Sequence, residues 1–519
     1  MRTKQGKDAV GMGRNQAGSA GPETKASGFG TYFALAAGGL LWLFAHGKWI
    51  MPEASWLAPL LMLYFHRNCS PVIGSFLVFA VTAAATYVTF QGVIPIPSAG
   101  YTFFCIGMGV YFLLPMMADR YAKRKASGFW STLVFPATYV TIEYVATLFN
   151  PFGSWNSWAY TQYGNLPLMQ LASITGLWGI TFLMMWTASA ANWLWERRTE
   201  WRLARRGFLV YTLALMLVYL AGSAQLVAMR PDSPTVRVAA LTLNDVDGFK
   251  KQSSQAAKRL LSESELIGFR EASLRNQQDL LDRSRLEARA GAKIVVWAEG
   301  NAPILEQDME DFIDRAGALA QEEGIYLIAG VGELKRSERE QHELKSLTFN
   351  PDGELQDVYI KSIQVPGWEA EAYKTGDGVH VIETAFGRMG MAICFDADYP
   401  ALIREAGQRG ADLFILPSNE WRELDPLHTH MAAFRAVENG FSLLRHTSGS
   451  YSLAVDYQGR PLSGMHHATT PSRSMVAELH TEGRGTTVYA VLGDWFAWAN
   501  AAAAAALLAA LIRKQTRRI

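Results

Sequence analysis

Apolar residues are unevenly distributed along this chain. They form long runs with short polar connections between residues 29 and 229, and one more run at 491–512, whereas 231–487 alternates short apolar runs with polar stretches. A membrane-crossing helix needs about 20 apolar residues. The runs predict spans at 29–47, 54–66 (a short one), 71–94, 99–118, 129–149, 168–195, 207–229 and 491–512. In the middle segment Val236–Leu241 and Ile294–Trp297 predict strands, as do the runs 325–332, 345–349, 357–363, 379–394, 412–416, 442–447 and 452–456. Helical patterns fall at about 254–290, 309–323, 399–409 and 427–439. Strands interspersed with helices indicate a layered α/β or α+β domain. The organisation read from this pattern is a polar tail (1–28), a seven-helix membrane domain (29–229), an inserted soluble domain (230–490), a final membrane helix (491–512) and a short tail (513–519).

Charge refines the picture. Half of the 519 residues are apolar and 18% are charged, with a formal net charge of +1, so no global field favours nucleic acid. Basic stripes interleaved with aromatics are missing outside the loops between apolar runs, which argues against a nucleic-acid partner. The tail at 1–27 is rich in Gly, Ala and Ser with scattered Lys and Arg, the composition of a disordered segment. Basic residues recur in every second connection: the N-terminal tail, His66-Arg67, Arg120 to Lys125, Arg197 to Arg206 and Arg513 to Arg518. The intervening connections 95–98 and 150–167 hold no Lys or Arg. The positive-inside rule then puts both termini in the cytoplasm and 230–490 outside. Trp195, Trp201, Trp495 and Trp498 fall at span ends, as interfacial aromatics do. Glu143 falls inside the fifth span; an intramembrane carboxylate faces the bundle or a polar cavity, so structural pairing and a place beside a lipid-entry path both fit.

Of three cysteines, two lie in or beside membrane segments, so the soluble part can form no internal disulfide. Its one thiol, Cys394, ends the apolar run Met389 to Ile393 and precedes Phe395-Asp396-Ala397-Asp398-Tyr399-Pro400. Glu299 and Lys361 end two other apolar runs. Alternation puts Val358 and Ile360 on one strand face and Tyr359 and Lys361 on the other. A thiol needs a base or a positive environment to act as a nucleophile. Glu299 can take the proton, Lys361 can stabilise an oxyanion, and the backbone N–H of Phe395 is a second donor. Each residue alone has a plain reading: a packed cysteine, a solvated strand-end glutamate, a solvated lysine.

Taken in order, Val296-Trp297-Ala298-Glu299, Tyr359-Ile360-Lys361 with Val365-Pro366, and Gly387 to Asp396 resemble the three signature regions of the nitrilase (carbon–nitrogen hydrolase) superfamily. The membrane part is similar to bacterial apolipoprotein N-acyltransferases through Asn150 to Trp155, Ala159 to Gln162, Pro167-Leu168 and Gly176 to Phe182. Tyr489-Ala490, Gly493-Asp494-Trp495 and the pattern His428, Met431, Arg435-Ala436, Glu438, Gly440 extend the likeness. This resemblance covers the chain from about residue 30.

The resemblance implies about eight membrane helices with an α-β-β-α sandwich inserted before the last. It implies a catalytic triad of Glu299 (base), Lys361 (oxyanion stabiliser) and Cys394 (nucleophile), with Glu369 or Glu371 and Phe395 in support. Trp155, Glu143 and Trp421 are the residues expected to contact lipid or substrate. The implied reaction is ping-pong: Cys394 takes an acyl chain from a phospholipid as a thioester, then passes it to the α-amino group of a diacylated apolipoprotein. No cofactor or metal is called for, and the implied place is the bacterial inner membrane, with the catalytic domain periplasmic. This chain departs from the family at Ala298 (usually Pro), at Gly367-Trp368 within Val365 to Glu369, and at Phe395-Asp396 (usually Tyr-Glu). Two alternatives are a membrane-anchored amidase with the same triad, using water as acceptor, and a sensor or scaffold with a relic domain; an intact triad argues against the latter.

Overall fold

The computed structural model describes residues 28–243, 261–336, 341–367 and 369–516. The tail expected over 1–28 (all but Gly28), the start of the helical pattern at 254–260, Trp368 and residues 517–519 lie outside the described residues.

The apolar runs fold as helices α1 (Phe29–Trp42), α2 (Pro52–Asn68), α3 (Pro71–Thr89), α4 (Ser98–Lys125), α5 (Val134–Phe149), α6 (Leu177–Glu196) and α7 (Trp201–Ala228). Among the described residues, five segments are long and apolar enough to cross a membrane: α3, α4, Phe129–Phe149, α7 and Trp495–Arg513. α1 has 14 residues and α2 has 17. α6 mixes four tryptophans with Thr181, Ser189 and Asn192.

Two span boundaries differ from the sequence reading. The run expected as one helix at 168–195 is broken into the single turns Leu166–Met169 and Ala172–Thr175 before α6. Gly176, between the second turn and α6, has φ 64°, and a Cβ there would lie 2.6 Å from the Tyr489 ring. The final helix begins at Trp495 rather than 491, because Val488–Leu492 forms its own turn and Gly493 (φ 58°) redirects the chain. In both places a glycine supplies a backbone conformation that hydropathy does not register.

Between α7 and the last helix, two sheets form. The first orders β13 (Ser474–His480), β1 (Thr235–Leu241), β2 (Ile294–Trp297), β4 (Tyr326–Leu334), β5 (Glu343–Phe349) and β6 (Leu355–Ile360), with β3 (Ala302–Leu305) paired to β4. The second orders β12 (Pro461–His466), β11 (Tyr451–Val455), β10 (Ser442–Ser448), β9 (Leu413–Asn419), β8 (Gly387–Met391) and β7 (His380–Thr384). The run 379–394, read as one strand, is the antiparallel hairpin β7–β8, with Gly387 at φ 97°.

Val238, Ala240, Val296 and Ile328 of the first sheet share one core with Met391, Leu413, Ile415 and Leu444 of the second. The other face of the first sheet packs on α8 (Glu263–Arg289) and α9 (Met309–Glu323) through Phe269, Leu280, Phe312 and Leu319. The other face of the second packs on α10 (Pro400–Gln408) and α11 (Leu427–Asn439) through Ile403, Ala406, Ala432 and Ala436. The chain closes with α12 (Trp495–Thr516). Val365, Phe395, Leu424, Met431 and Phe434 belong to the same apolar cluster as α1 to α6. The soluble domain is therefore seated on the helices through the side that carries Cys394.

Candidate active site

Three strand ends supply the site. Beyond β2, Ala298 donates its N–H to Leu241 O (3.1 Å) and accepts from Asn301 N–H (3.2 Å), a tight turn that leaves Glu299 buried. Gly330 of β4 makes room for it, since a Cβ there would lie 2.1 Å from Ala298 O. Beyond β6, Lys361 donates its N–H to Leu344 O (2.9 Å), which carries the β5–β6 ladder one residue further. Tyr359 and Lys361 are both fully buried while Val358 is 38% exposed, so the alternation read from sequence holds. Beyond β8, a single 3-10 turn, Cys394–Asp398, begins with Cys394 at φ 49°. For a residue with a side chain this left-handed conformation is strained and persists only where surroundings impose it.

The Lys361 ammonium lies between two carboxylates, 2.8 Å from Glu299 Oε1 and 2.8 Å from Glu369 Oε2. Glu369 also accepts the Val365 N–H at 3.0 Å. Burial alone would pull the Lys361 pKa down, but Glu299, Glu369 and Cys394 together hold it well above its ordinary value. Two carboxylates and one ammonium leave a surplus negative charge, and burial pushes the Glu369 pKa up, with Lys361 opposing and Glu299 adding to the rise. Burial likewise raises the Cys394 thiol well above its usual range; Glu299 adds to this, and Lys361 and Arg445 oppose it. At rest Cys394 is therefore a thiol, donating toward Asn419 O at 3.7 Å. Attack by such a sulfur would need a base, a capacity that the nearby Glu299 carboxylate has.

Asp396 ties two of the strand ends together. Its Oδ2 accepts the Tyr359 hydroxyl (2.6 Å) and the Ile393 N–H (2.9 Å), and its Oδ1 accepts the Ile363 N–H (2.7 Å). The backbone after Lys361 and the backbone before Cys394 thus share one buried carboxylate. Burial raises its pKa to about 6 against these stabilising bonds. Sequence alone showed Asp396 as a departure from the family pattern; its reach to residues 359–363 appears only in three dimensions.

Aromatic rings from both parts of the chain cover the turn. Trp155, in the loop after α5, lies 6.0 Å from the Phe395 ring and 6.4 Å from Trp421, while Phe152 lies 6.3 Å from Phe395. Trp421 donates its indole N–H to Gly92 O (2.8 Å), in the loop between α3 and α4. Ser154 donates its N–H (2.9 Å) and hydroxyl (2.7 Å) to Asp398 O, and Tyr399 donates its hydroxyl to Pro151 O (2.7 Å). Trp155, Trp421 and Phe395 are thus brought together at the Cys394 turn.

Two readings that the sequence left open concern Glu143 and the pair Glu369 and Glu371. Glu143 is buried inside the helix bundle, where its Oε1 accepts the Trp158 N–H (2.8 Å) and the Thr181 hydroxyl (3.3 Å), the structural pairing that the sequence allowed. It is a clamp on the loop that carries Trp155. Glu371 is exposed, whereas Glu369 bonds Lys361, so geometry chooses between the two glutamates. Sequence reasoning also missed Glu420 and Arg445, both fully buried beneath Cys394. Their one signal was a charged residue inside the apolar strand Ser442–Ser448. No group of three or more His, Cys, Asp or Glu able to hold a metal occurs among the described residues.

Comparison with known proteins agrees with this layout. The carbon-nitrogen hydrolase family matches residues 237–472, and the apolipoprotein N-acyltransferase N-terminal domain matches residues 37–190. An apolipoprotein N-acyltransferase of Geobacter metallireducens is 28% identical over 414 residues, covering 74% of this chain and 74% of its own. Another, from Azotobacter vinelandii, is 24% identical over 537 residues of alignment, covering 94% of this chain and 96% of its own.

Proposed function

This chain belongs to the apolipoprotein N-acyltransferase family of the carbon–nitrogen hydrolase superfamily, and on that premise we propose that it moves a phospholipid acyl chain through Cys394 to the α-amino group of a diacylated lipoprotein. It is an acyltransferase, and it is membrane-associated. The arrangement we adopt has about eight helices in the bacterial inner membrane, both termini cytoplasmic, and residues 230–490 as a periplasmic α-β-β-α sandwich. The alternation of basic and uncharged loops supports that orientation. The two sheets with a shared core and helices on their outer faces support the sandwich.

In the first half-reaction Cys394 Sγ attacks the ester carbonyl carbon as Glu299 takes the thiol proton. The tetrahedral oxyanion is met by Lys361, whose third N–H is left over after the two carboxylates, and by the Phe395 N–H. Collapse breaks the ester C–O bond, and Glu299 returns the proton to the departing lysophospholipid oxygen, leaving a thioester. In the second half-reaction the acceptor amine attacks the thioester carbon, Glu299 takes a proton from nitrogen, and the C–S bond breaks. The proton then passes to sulfur, restoring the thiol and leaving an amide.

One observation carries the reading: a fully buried lysine bonded to two carboxylates, beside a thiol in a strained turn roofed by a membrane loop. Cys394 is 4% exposed. An amidase using water as acceptor would need a hydrated approach, which the aromatic roof and the apolar cluster around Phe395 oppose. The test is intact-protein mass spectrometry of the purified full chain in nanodiscs containing phosphatidylethanolamine, followed by addition of a diacylglyceryl-cysteine peptide. The expected result is an acyl adduct that transfers to the peptide amine and is lost in Cys394→Ala. An adduct persisting in Cys394→Ala, or release of free fatty acid alone, overturns the reading.

A further inference from the structure

One buried relay grips both ends of the nucleophile turn. Arg445, on β10, donates one guanidinium N–H to Cys394 O (3.2 Å) and turns its other edge to Glu420 Oε1, with Nε at 3.0 Å and Nη2 at 2.6 Å. His428, on α11, has Nδ1 2.9 Å from Arg445 Nη2 and 3.3 Å from Glu420 Oε1, and its Nε2 bonds the Asp398 carboxylate. Cys394 and Asp398 are the first and last residues of the 3-10 turn. All four side chains of the relay are buried to within 2% of full coverage.

Each anchor is itself fixed. Glu420 donates its N–H to Ser448 O (3.0 Å), one strand away, and the Trp155 ring packs on His428 at 5.4 Å. A guanidinium is a rigid planar fork, so the position of Glu420 dictates where the Cys394 carbonyl can lie. That carbonyl belongs to the residue at φ 49°, a conformation a cysteine does not keep unaided. Two buried carboxylates, a guanidinium and an imidazole are also more polar material than core packing calls for, since apolar residues of similar volume serve stability as well.

We propose that Arg445, Glu420 and His428 are positioning residues for the nucleophile, holding both ends of the turn so that Cys394 stays in the left-handed conformation that presents its thiol to the acyl carbon. This rests on the reading of Cys394 as the nucleophile. None of the three residues touches the transferred acyl group.

The test uses the full chain in nanodiscs and single-turnover acylation by phosphatidylethanolamine, with KM and kcat separated and the folded fraction of every sample measured. Arg445→Met is expected to slow acylation about 10²-fold, the scale of an ångström-sized misplacement, with KM for phospholipid unchanged. Arg445→Lys keeps the charge but loses the fork and is expected to recover only part of the rate. Should Arg445→Met not fold, Arg445→Lys and the paired apolar variant Arg445→Met/Glu420→Met carry the same comparison. A folded variant with the wild-type rate, or one in which KM alone rises, overturns the proposal. Cys394→Ala in parallel separates the two ideas: acylation of that variant refutes the nucleophile itself, whereas its absence together with a normal Arg445→Met rate refutes only the relay.

Discussion

Replacing Asp396 with Asn tests whether the shared carboxylate sets the geometry between Lys361 and Cys394. Its oxygens accept from Tyr359, Ile393 and Ile363. An amide offers one oxygen where the carboxylate offers two. With that oxygen kept on the Tyr359 and Ile393 side, the new NH2 group faces the Ile363 N–H, donor against donor. The lost bond to a charged acceptor is worth about 1.5–3 kcal/mol. Against this, burial raises the Asp396 pKa from 3.8 to about 6, so above that range the ionised form costs the fold about 3 kcal/mol relative to the unfolded chain. That shift already includes the bonds to Tyr359, Ile393 and Ile363, so Asp396→Asn is expected not to lower thermal stability, while slowing acylation about 10²-fold by displacing residues 361–363.

The same shift gives a pH signature. A carboxyl whose folded pKa lies above its unfolded value takes up its proton first in the folded state. Stability from this group therefore rises as pH falls from about 6 toward 3.8. The protonated carboxyl has lost an acceptor, however, so acylation should fall as pH drops through about 6. Unfolding midpoints across that range read the first effect, and single-turnover acylation of the full chain in nanodiscs, followed by intact mass, reads the second. In Asp396→Asn the rate should be low throughout and lack the inflection that Asp396 contributes. A variant with the wild-type rate and the same inflection refutes the reasoning.

Lys361→Ala is expected to cut acylation on the order of 10²–10³-fold, the usual cost of a lost oxyanion donor, while apparent phospholipid binding stays unchanged; a change confined to binding would give Lys361 another role. Glu369→Gln should slow turnover and Glu371→Gln should not, because only Glu369 bonds the buried ammonium; equal effects in a steady-state transfer assay would contradict this. Glu143→Leu should lower the unfolding midpoint in detergent by leaving the Trp158 N–H without an acceptor, a loss of about 1–3 kcal/mol. Glu143→Gln keeps an acceptor oxygen and should stay near wild type, an outcome that a purely electrostatic role for Glu143 would not produce.

The sequence exposed what rests on residue type and local period. Helix α9 falls at Met309–Glu323, the range its periodicity predicts, and α11 at Leu427–Asn439 does the same. Glu299, Lys361 and Cys394 were visible because a carboxylate, an amine and a thiol at the ends of apolar strands have little packing rationale. Strands β12 and β13 escaped notice for the opposite reason: half of β12 is exposed and β13 alternates, so neither forms an apolar run, while buried β3 has only four residues. Arg445 and Glu420 were hidden because a lone charge reads as a solvated residue until its partner, 25 positions away, is known. Span ends moved at Gly176 and Gly493, where positive φ decides.

The contacts between the loops and the soluble domain explain why the helices are more than an anchor. Ser154 and Tyr399 bond across the boundary at the far end of the Cys394–Asp398 turn, and Trp421 bonds the loop between α3 and α4 at the near side. Removing the helices would therefore remove half the roof over Cys394, not merely its attachment to lipid. On the proposed chemistry that roof has a specific consequence. A thioester survives to meet an amine only if water reaches it more slowly than the acceptor does. Apolar walls of Trp155, Phe152 and Phe395 slow water, while a lipid-borne acceptor enters along the same apolar surface as the donor. The preference for acyl transfer over hydrolysis then resides in Trp155 and its neighbours, and the triad alone does not distinguish the two outcomes.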